Sequence, residues 1–543
     1  GMSEIEELAQ RVIADYPAVI GERVELLGKA ANYSQKCGIL KSIYYATTQL
    51  AGLIAVSYYL NDSAAEPDKQ IQITMAGISL PMDSTWKELL IHVNSYYASS
   101  QTTVFHIPGI QDAIARLSNP DFGYPQALYQ SIRYPQYRKT SVLQAGVDIR
   151  NAIHHENFPL TEEDFRKIYP YYLDIVFTLL REMNFLDGSR FKFVSRQQDT
   201  SLEVLHGAGK DEEPVLGIPQ DESDNTGSNV FLYDSFQKCL YPLFPFIITY
   251  EELWQDEKEF IFSSLSGKNS NYSGRKSGLI KQNQSGYVAI KHLTGMKKVE
   301  LNYDFERLTY RVLRELSQQA SWETLSNGYT GKKYYPGCYV RPAQISRIVL
   351  SFLEGNSSAL FITGTSGIGK SALLADITHR ALQEEENIIP LFINGRDIGK
   401  SEGLDKPILA LLRNNLMLKN NIASSEALLI KFNEIMTGDN TIPAGTKILL
   451  IIDAVNESYS VTDIFTEIDE LIGKTWNHKK HKSRFPWLKV IYSIRSTGYS
   501  QLWSQKQKDE SIFRNEIPYY KFLIEPEKES DRKIKETPVI ELL

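Results

Sequence analysis

The sequence predicts a multidomain protein with an all-α N-terminal bundle, a small β-rich middle domain and a C-terminal α/β domain built on a parallel sheet. Three observations lead to this prediction. Apolar residues recur at helical spacing through the first 190 residues, short β-type runs follow up to residue 300, and strands alternate with helices from about residue 334. A chain of 543 residues is also long enough for three to four domains of about 150 residues each.

The helical domain is predicted over residues 1–190. Its segments have apolar residues at the spacing of one helix face, and they are Ile5–Tyr16, Ala18–Ala31, Gly38–Leu60, Trp86–Tyr97, Gly109–Leu117, Val142–His155 and Thr161–Phe185. The interval Asn61–Pro81 breaks this pattern. Its alternating stretch Ile71–Met75 favours a strand of a small hairpin over another helix.

The β-rich domain is predicted over residues 191–300. Its expected strands are Phe191–Val194, Ser201–Leu205, Asn229–Tyr233, Pro245–Tyr250, Glu259–Ser263 and Tyr287–Lys291. Polar, glycine-rich stretches separate them, which is typical of short strands joined by turns. Residues 301–333 follow as a helical linker, with Phe305–Leu325 as its helix.

The C-terminal domain is predicted over residues 334–543. Strands are expected at Ala359–Thr363, Ile389–Ile393, Lys447–Ile452, Val490–Ser493 and Val539–Leu542. Helices are expected near Ile345–Leu353, Ser371–Glu384, Ile408–Leu416, Ser425–Met436 and Ile464–Ile472. Apolar strands between amphipathic helices predict a parallel sheet covered on both faces. Because the chain stops at the last of these strands, we expect the natural protein to continue beyond Leu543, and Gly1 before Met2 is expected to be a cloning remnant.

Composition argues against several classes of protein. With 59 basic and 66 acidic residues, the net charge of −7 does not suit a general binder of polyanions. The cysteines, Cys37, Cys239 and Cys338, are too far apart for a zinc motif or a disulfide framework. The longest apolar runs, Gln49–Leu60 and Tyr241–Tyr250, are shorter than the roughly 20 residues of a membrane helix. We therefore expect a cytoplasmic protein with no membrane partner.

One motif points to a chemical function by itself. Residues 364–371 read Gly-Thr-Ser-Gly-Ile-Gly-Lys-Ser, which matches GxxxxGK[ST] at every fixed position, between an apolar strand and a helix-forming segment. Backbone N–H groups in such a loop surround phosphate oxygens, and the helix N-terminus adds its positive dipole end. We therefore predict that the loop binds ATP or ADP rather than being a turn without a ligand. The predicted nucleotide-binding residues are Gly364, Thr365, Ser366, Gly367, Gly369, Lys370 and Ser371.

Charged residues at the ends of two further strands complete the predicted site. Lys370 would reach the β- and γ-phosphates, while Ser371 and Asp453, the latter on a neighbouring strand, would hold Mg²⁺. Glu457 is predicted to polarise the attacking water, and Arg495 to sense the γ-phosphate. The alternatives are a helix cap for Asp453, a solvated turn for Glu457 and an ordinary surface position for Arg495.

Together these strings resemble the STAND class of AAA+-related NTPases, which includes the NACHT proteins. The resemblance covers about residues 335–543 and rests on the GxxxxGKS loop, the strand end Asp453–Glu457 and the sensor strand ending in Ser493–Arg495. The segment Tyr339–Pro342 also resembles the one that covers the adenine in such proteins. Asn456 stands where the class has an acid, which implies slow hydrolysis at most. The lid, winged helix and C-terminal sensor repeats of the class have no counterpart in this stretch.

A second string, Arg150–His155, resembles the R-N-x-x-x-H form of the motif of HEPN domains, which include many metal-independent RNases. The resemblance implies a catalytic set of Arg150, Asn151 and His155. In that set the imidazole would take the 2′-OH proton and the guanidinium would stabilise the charged phosphorane. His155 has the spacing of the family, whereas His154, at i+4, shares a helix face with Arg150 better. Many HEPN-like domains are inactive scaffolds, so an inactive domain is the alternative.

These observations leave three functions open. The first, which we favour, is a signalling or defence ATPase of STAND type that binds ATP or ADP with Mg²⁺ and carries a HEPN-like RNase effector. Its partners would be the nucleotide, an RNA substrate and further copies of the chain, in a dimer or larger homo-oligomer. The second is a non-catalytic regulatory scaffold with a nucleotide switch. The third is a conventional AAA+ or KAP-like ATPase with steady turnover.

Overall fold

The structure, a computed structural model, divides into two compact units, Gly1–Val299 and Glu300–Leu543. It describes residues 3–542 with gaps at 80, 82, 101–106, 108, 120–127, 129–139, 155–159, 197–201, 208–213, 216–229, 255–256, 267, 275–279, 300–307, 356–357, 385–386, 400–403, 419–423, 439–441, 459, 461–462, 465, 469, 472–475, 478–481, 484, 496–518 and 523–536. The finer division at residues 190, 300 and 333 stays a prediction.

Helices form the first part of the first unit, as the sequence predicts. They are α1 (Glu4–Asp15), α2 (Ala18–Leu27), α3 (Tyr33–Asn61), α4 (Lys69–Ala76), α5 (Asp83–Ser99), α6 (Ile110–Leu117), α7 (Val142–His154) and α8 (Glu162–Glu182). Capping boxes at Ser3 and Thr161 begin α1 and α8, because each side chain satisfies a backbone N–H that the helix itself leaves open. The long helix α3 lies at the centre and packs against α5 and α8.

Helix α3 is long and apolar enough to cross a membrane by length and composition alone, which the run-length argument missed. It has 29 residues, and the mean hydropathy of its most apolar window is 1.2. Within the unit, however, 72% of that window is buried. Helix α3 is therefore the core helix around which the other helices pack.

Antiparallel sheets follow the helices, which confirms the β-rich middle region. The strands are β1 (Phe191–Arg196), β2 (Leu202–Val204), β3 (Pro214–Val215), β4 (Val230–Asp234), β5 (Cys239–Pro242), β6 (Ile247–Trp254), β7 (Glu257–Ser266), β8 (Asn269–Gly274) and β9 (Ile280–Asn283). Their orders are β3-β2-β1-β4-β5 and β6-β7-β8-β9. One hydrophobic core joins them to the helices; for example, Trp86 of α5 meets Phe262 of β7 edge-on, with ring centroids 6.2 Å apart.

Two strand predictions in this unit are wrong. Ile71–Met75 lies in α4, where the Asp68 side chain accepts the Ile71 N–H at 2.9 Å and begins the helix. Tyr287–Lys291 lies in α9 (Gln284–Met296), which begins after the cap Asn283. A short apolar run is compatible with either a strand or a helix. In both cases an Asp or Asn side chain caps the first turn and so favours the helix.

A parallel sheet organises the second unit, and this too confirms the sequence-based prediction. The strands are β10 (Ala359–Gly364), β11 (Ile388–Asn394), β12 (Lys447–Asp453), β13 (Trp476–Asn477), β14 (Lys482–Ser483), β15 (Leu488–Arg495), β16 (Tyr519–Phe522) and β17 (Thr537–Leu542). The parallel sheet has the order β11-β12-β15-β10-β17-β16, and β13 pairs with β14 apart from it. The helices are α10 (Tyr310–Gly328), α11 (Ala343–Glu354), α12 (Lys370–Glu384), α13 (Pro407–Asn415) and α14 (Ser425–Thr437). The helix expected near Ile464–Ile472 lies partly outside the described residues.

Helix α10, predicted as a linker helix, packs against the edge strand β11. The Ser321 hydroxyl donates to the carbonyl of Pro390 and accepts the N–H of Phe392, both at 3.0 Å. Ser317 donates to the same carbonyl, and the buried Arg314 guanidinium donates to backbone carbonyls of β11 and α12. The side chains of α10 thus satisfy the polar groups that an edge strand otherwise presents to solvent.

Candidate nucleotide site

The loop 365–369 joins β10 to α12 at the carboxyl end of the parallel sheet. Gly367 and Gly369 have φ angles of +83° and +107°, a left-handed backbone that glycine adopts without strain. A Cβ added to either glycine would meet no described heavy atom within 4 Å. Thr365 and Ser366 are exposed, and Ser371 is half-buried in the first turn of α12. The outer side of the loop therefore has room for a ligand.

Lys370 begins α12 and directs its ammonium group back into the loop. Nζ donates to the carbonyl oxygens of Gly364 at 2.8 Å and Thr365 at 2.7 Å. Burial lowers the pKa of Lys370, Asp453 opposes that shift, and the positive charge of Arg495 adds to it. Lys370 therefore lies within electrostatic range of Asp453 and Arg495, which lie at the carboxyl ends of β12 and β15.

Asp453 lies at the carboxyl end of β12 and is 2% exposed. Its Oδ1 accepts a hydrogen bond from Ser493 Oγ and its Oδ2 accepts one from the Tyr329 hydroxyl, each at 2.8 Å. The sequence-based prediction placed Asp453 on a strand next to the loop strand, which is wrong, because β15 lies between β10 and β12. Ser493 of the intervening strand β15 connects to the end of β12, since its Oγ also accepts the N–H of Ala454 at 2.9 Å.

Glu457 lies in the short 3₁₀ turn that follows β12. Its Oε1 is 3.3 Å from Nη2 of Arg495, and its Oε2 is 3.5 Å from Nε of Arg396. Asn456 accepts the backbone N–H of Arg495 at 3.2 Å. Since the two arginine side chains are 48% and 57% exposed, these ion pairs are weak and can be exchanged for other partners.

The segment before α11 is tied to the loop helix α12 through one carboxylate. Asp376 accepts hydrogen bonds from Arg341 at 2.7 Å and from the Tyr334 hydroxyl at 3.1 Å. Arg380, one turn further along α12, lies 3.4 Å from the same carboxylate. The segment Tyr339–Pro342, which resembles an adenine cover, is therefore held against the loop helix through Arg341.

A magnesium ion at this site would find few protein ligands. Across the described stretches of the chain, no group of three or more His, Cys, Asp or Glu side chains is placed to hold a metal ion. Mg²⁺ commonly keeps several waters and binds one or two carboxylates together with phosphate oxygens. Ser371 and Asp453 fit this pattern as the predicted metal residues.

The second predicted site lies on α7 of the first unit. Arg150 and Asn151 are half-buried there, and Arg150 Nη1 donates to Asn151 Oδ1 at 3.2 Å. The backbone of His154 closes the helix. His155, the predicted catalytic histidine, lies outside the described residues. The arrangement of the Arg–His pair therefore stays a prediction.

The sequence alone did not indicate two residues of this candidate site. Tyr329 reaches Asp453 from a position 124 residues earlier in the chain, and Arg396 reaches Glu457 from the end of β11. Neither belongs to a motif. For Arg396 there was a signal, since it follows a predicted strand at the same sheet edge where the other site residues lie.

Comparisons with known proteins add little to this picture. No family model matches the chain, and no curated protein matches it. A solved structure described as "Structure of Drosophila ORC bound to AT-rich DNA and Cdc6" is similar at 15% sequence identity, over 30% of this chain and 49% of that chain, with a TM-score of 0.20. This chain thus spans about half the length of the one it matches. A TM-score of this size does not define a shared fold.

Proposed function

We propose that the second unit binds ATP or ADP with Mg²⁺ and acts as a slow nucleotide switch of the P-loop, STAND-like kind. The observation that carries the proposal is that the strand ends bring Lys370, Asp453 and Arg495 to one side of the sheet beside an open glycine loop. Ligands of open α/β sheets bind at the carboxyl ends of the strands, where this cluster lies. A phosphate group supplies the negative charge that such a basic loop attracts.

Each residue has a distinct task in this proposal. Lys370 would exchange its two loop carbonyls for phosphate oxygens, because a charged partner binds an ammonium more strongly than a neutral carbonyl. Ser371 and Asp453 would hold Mg²⁺, and Arg495 would leave Glu457 for the terminal phosphate. Glu457 could then orient a water molecule. While Arg396 and Arg495 both pair with it, its two carboxylate oxygens are engaged and cannot orient a water molecule, which supports slow turnover.

Calorimetric titration with ADP in Mg²⁺ buffer tests nucleotide binding. Lys370→Ala should weaken binding at least tenfold, or about 1.4 kcal/mol, because the phosphates lose their main cation. Lys332→Ala is the matched control, since this lysine is exposed and its ammonium, in the described contacts, donates to the carbonyl of Asn327. Equal affinity in wild type and Lys370→Ala, or no binding at all, contradicts the proposal.

Turnover separates a switch from a motor. We expect the chain alone to hydrolyse ATP well below about 1 s⁻¹. Phosphate release at or above that rate would favour the conventional AAA+ or KAP-like ATPase.

For the first unit we propose a HEPN-like effector that cuts RNA in a homodimer. The Arg150–Asn151 hydrogen bond supports this, because it gives the guanidinium a neighbour within the motif. Two side chains on one helix cannot surround a phosphodiester, so a two-fold dimer cleft is a natural way to complete the site.

The RNase test uses Gly1–Val299, because the helices and antiparallel sheets share one core. At concentrations that allow dimers, cleavage of labelled RNA should persist in EDTA, leave 2′,3′-cyclic phosphate ends, and vanish in Arg150→Ala and His155→Ala. Cleavage that requires Mg²⁺ or survives both substitutions would rule out this assignment. The regulatory scaffold then takes its place.

A further inference from the structure

Tyr329 is held in a tight turn directly after α10. Its N–H donates to the carbonyl of Leu325 at 2.9 Å, and its own carbonyl accepts the N–H groups of Lys333 at 2.8 Å and Tyr334 at 3.0 Å. The side chain is 1% exposed, and its ring meets Phe392 of β11 edge-on at 4.8 Å between centroids. Both the backbone and the ring of Tyr329 are therefore fixed, and with them the direction of its hydroxyl.

The hydroxyl of Tyr329 meets a buried carboxylate whose described hydrogen bonds come from neutral groups. Within the described contacts, the hydrogen bonds to the Asp453 carboxylate come from Tyr329 and Ser493, which are both neutral. Lys370 gives its described hydrogen bonds to loop carbonyls instead. Hydroxyl donors stabilise a buried anion without neutralising it, so such a carboxylate can still bind an incoming cation.

The two donors also fix the orientation of the carboxylate. Ser493 holds Oδ1 from β15 and Tyr329 holds Oδ2 from the turn after α10, so rotation of the carboxyl group breaks at least one bond. If the Tyr329 hydroxyl is removed, Asp453 keeps the bond from Ser493 but loses its fixed plane. Metal ligands bind best when a further hydrogen bond orients them.

We propose that Tyr329 is a positioning residue for Mg²⁺: it holds Asp453 in the orientation that serves the metal, and so sets how strongly Mg²⁺ promotes nucleotide binding. This inference rests on the proposed function of the second unit. It adds that Tyr329, which lies outside every recognised motif, belongs to the metal site.

The same turn offers a matched control. Tyr334, five residues later, is also buried and also donates its hydroxyl to a buried carboxylate, that of Asp376 on α12. Tyr334→Phe deletes the same atom from the same turn as Tyr329→Phe. Asp376 lies inside α12 and is not a predicted metal residue. Tyr334→Phe should therefore leave unchanged the factor by which Mg²⁺ strengthens ADP binding.

The experiment measures ADP affinity of the full chain by calorimetry, once with Mg²⁺ and once with EDTA, for wild type, Tyr329→Phe and Tyr334→Phe. The factor by which Mg²⁺ strengthens binding should fall about tenfold or more in Tyr329→Phe, as expected for the loss of one hydrogen bond that orients a charged metal ligand. Affinity in EDTA should stay within about twofold of wild type, because the phosphate contacts remain. Tyr334→Phe should change neither quantity by more than that margin.

The possible outcomes separate the two proposals. An unchanged Mg²⁺ factor in Tyr329→Phe, an equal loss in both variants, or a loss that is the same in EDTA would overturn the positioning role while leaving nucleotide binding intact. A wild type whose ADP affinity does not respond to Mg²⁺ would also overturn it, since there is then no metal to position. A wild type that binds no nucleotide overturns the proposed function itself, and this inference with it.

Discussion

Lowering the pH from 7.5 to 5 should destabilise the first unit through His206. The Nε2 atom of His206 accepts the backbone N–H of Phe193 at 2.9 Å, so Nδ1 carries the proton that bonds to the carbonyl of Asp15 at 2.8 Å. Both ring nitrogens are thus committed in the neutral form. A second proton would point at the N–H of Phe193, so protonation must break that bond.

The size of this effect follows from the pKa difference. Burial lowers the pKa of His206 to about 4, while an unfolded chain keeps the ordinary value of about 6.5. Because the folded pKa is the lower one, the contribution to stability is complete above about pH 6.5 and is lost as the pH falls towards 4. The linkage between proton binding and folding predicts that the unfolding free energy falls by about 2 kcal/mol at pH 5 and by about 3 kcal/mol at pH 4.

Urea unfolding at both pH values tests the prediction, with hydrogen exchange of β1 peptides used to read the first unit separately. His206→Gln should be less stable than wild type at pH 7.5 by about 1 kcal/mol, because an amide replaces the ring imperfectly. Between pH 7.5 and pH 5, the unfolding free energy of His206→Gln should fall by about 2 kcal/mol less than that of wild type. His292→Gln, at an exposed position on α9, should keep the wild-type pH dependence. If His206→Gln shows the same pH dependence as wild type, the tautomer argument is refuted.

Two further predictions concern the second unit. Burial lowers the pKa of Lys489 to about 7 although its ammonium donates to the carbonyl of Phe352 at 2.6 Å. Since unfolded lysine stays charged to about pH 10, urea unfolding should show the unit gaining about 2 kcal/mol from pH 7 to 9, and Lys489→Met should abolish the gain. Gly395→Ala would place a Cβ 2.2 Å from the carbonyl oxygen of Ala454 and displace the turn that follows Asp453. We expect a loss of about 1–3 kcal/mol in unfolding free energy and weaker Mg²⁺–ADP binding in calorimetry, with Gly337→Ala, where the Cβ meets nothing within 4 Å, remaining like wild type.

The glycine loop between β10 and α12 was predictable because its sequence signals are local. Strand, glycines, lysine and helix follow one another within Ala359–Glu384, so no long-range contact is needed to recognise them. The same holds for the helices of the first part and for the strands of the parallel sheet. The helices repeat apolar residues over several turns, and the strands are continuous apolar runs between amphipathic helices. Ile71–Met75 and Tyr287–Lys291 failed because five residues do not distinguish a strand from a helix when the deciding cap lies outside the run.

The sequence could not predict what depends on strand order. Strand β15 lies between β10 and β12 because of the way the chain crosses over between strands. The amino-acid composition of each strand does not indicate this order. Tyr329 and Asp453 are 124 residues apart, and only folding brings a tyrosine after α10 against the end of β12. Long-range polar pairs of this kind have no periodic signal, so motif reading misses them.

The packing of α10 against β11 determines where a shortened fragment of the chain can begin. A fragment that begins at residue 334, the boundary that the motifs suggest, would lack the Ser321 bonds to Pro390 and Phe392. The uncovered edge of β11 could then pair with strands of other molecules, and such a fragment is expected to precipitate. Starting at Leu308 instead keeps all of α10 and Tyr329. In any expression of the second unit alone, this helix should therefore be its first structural element.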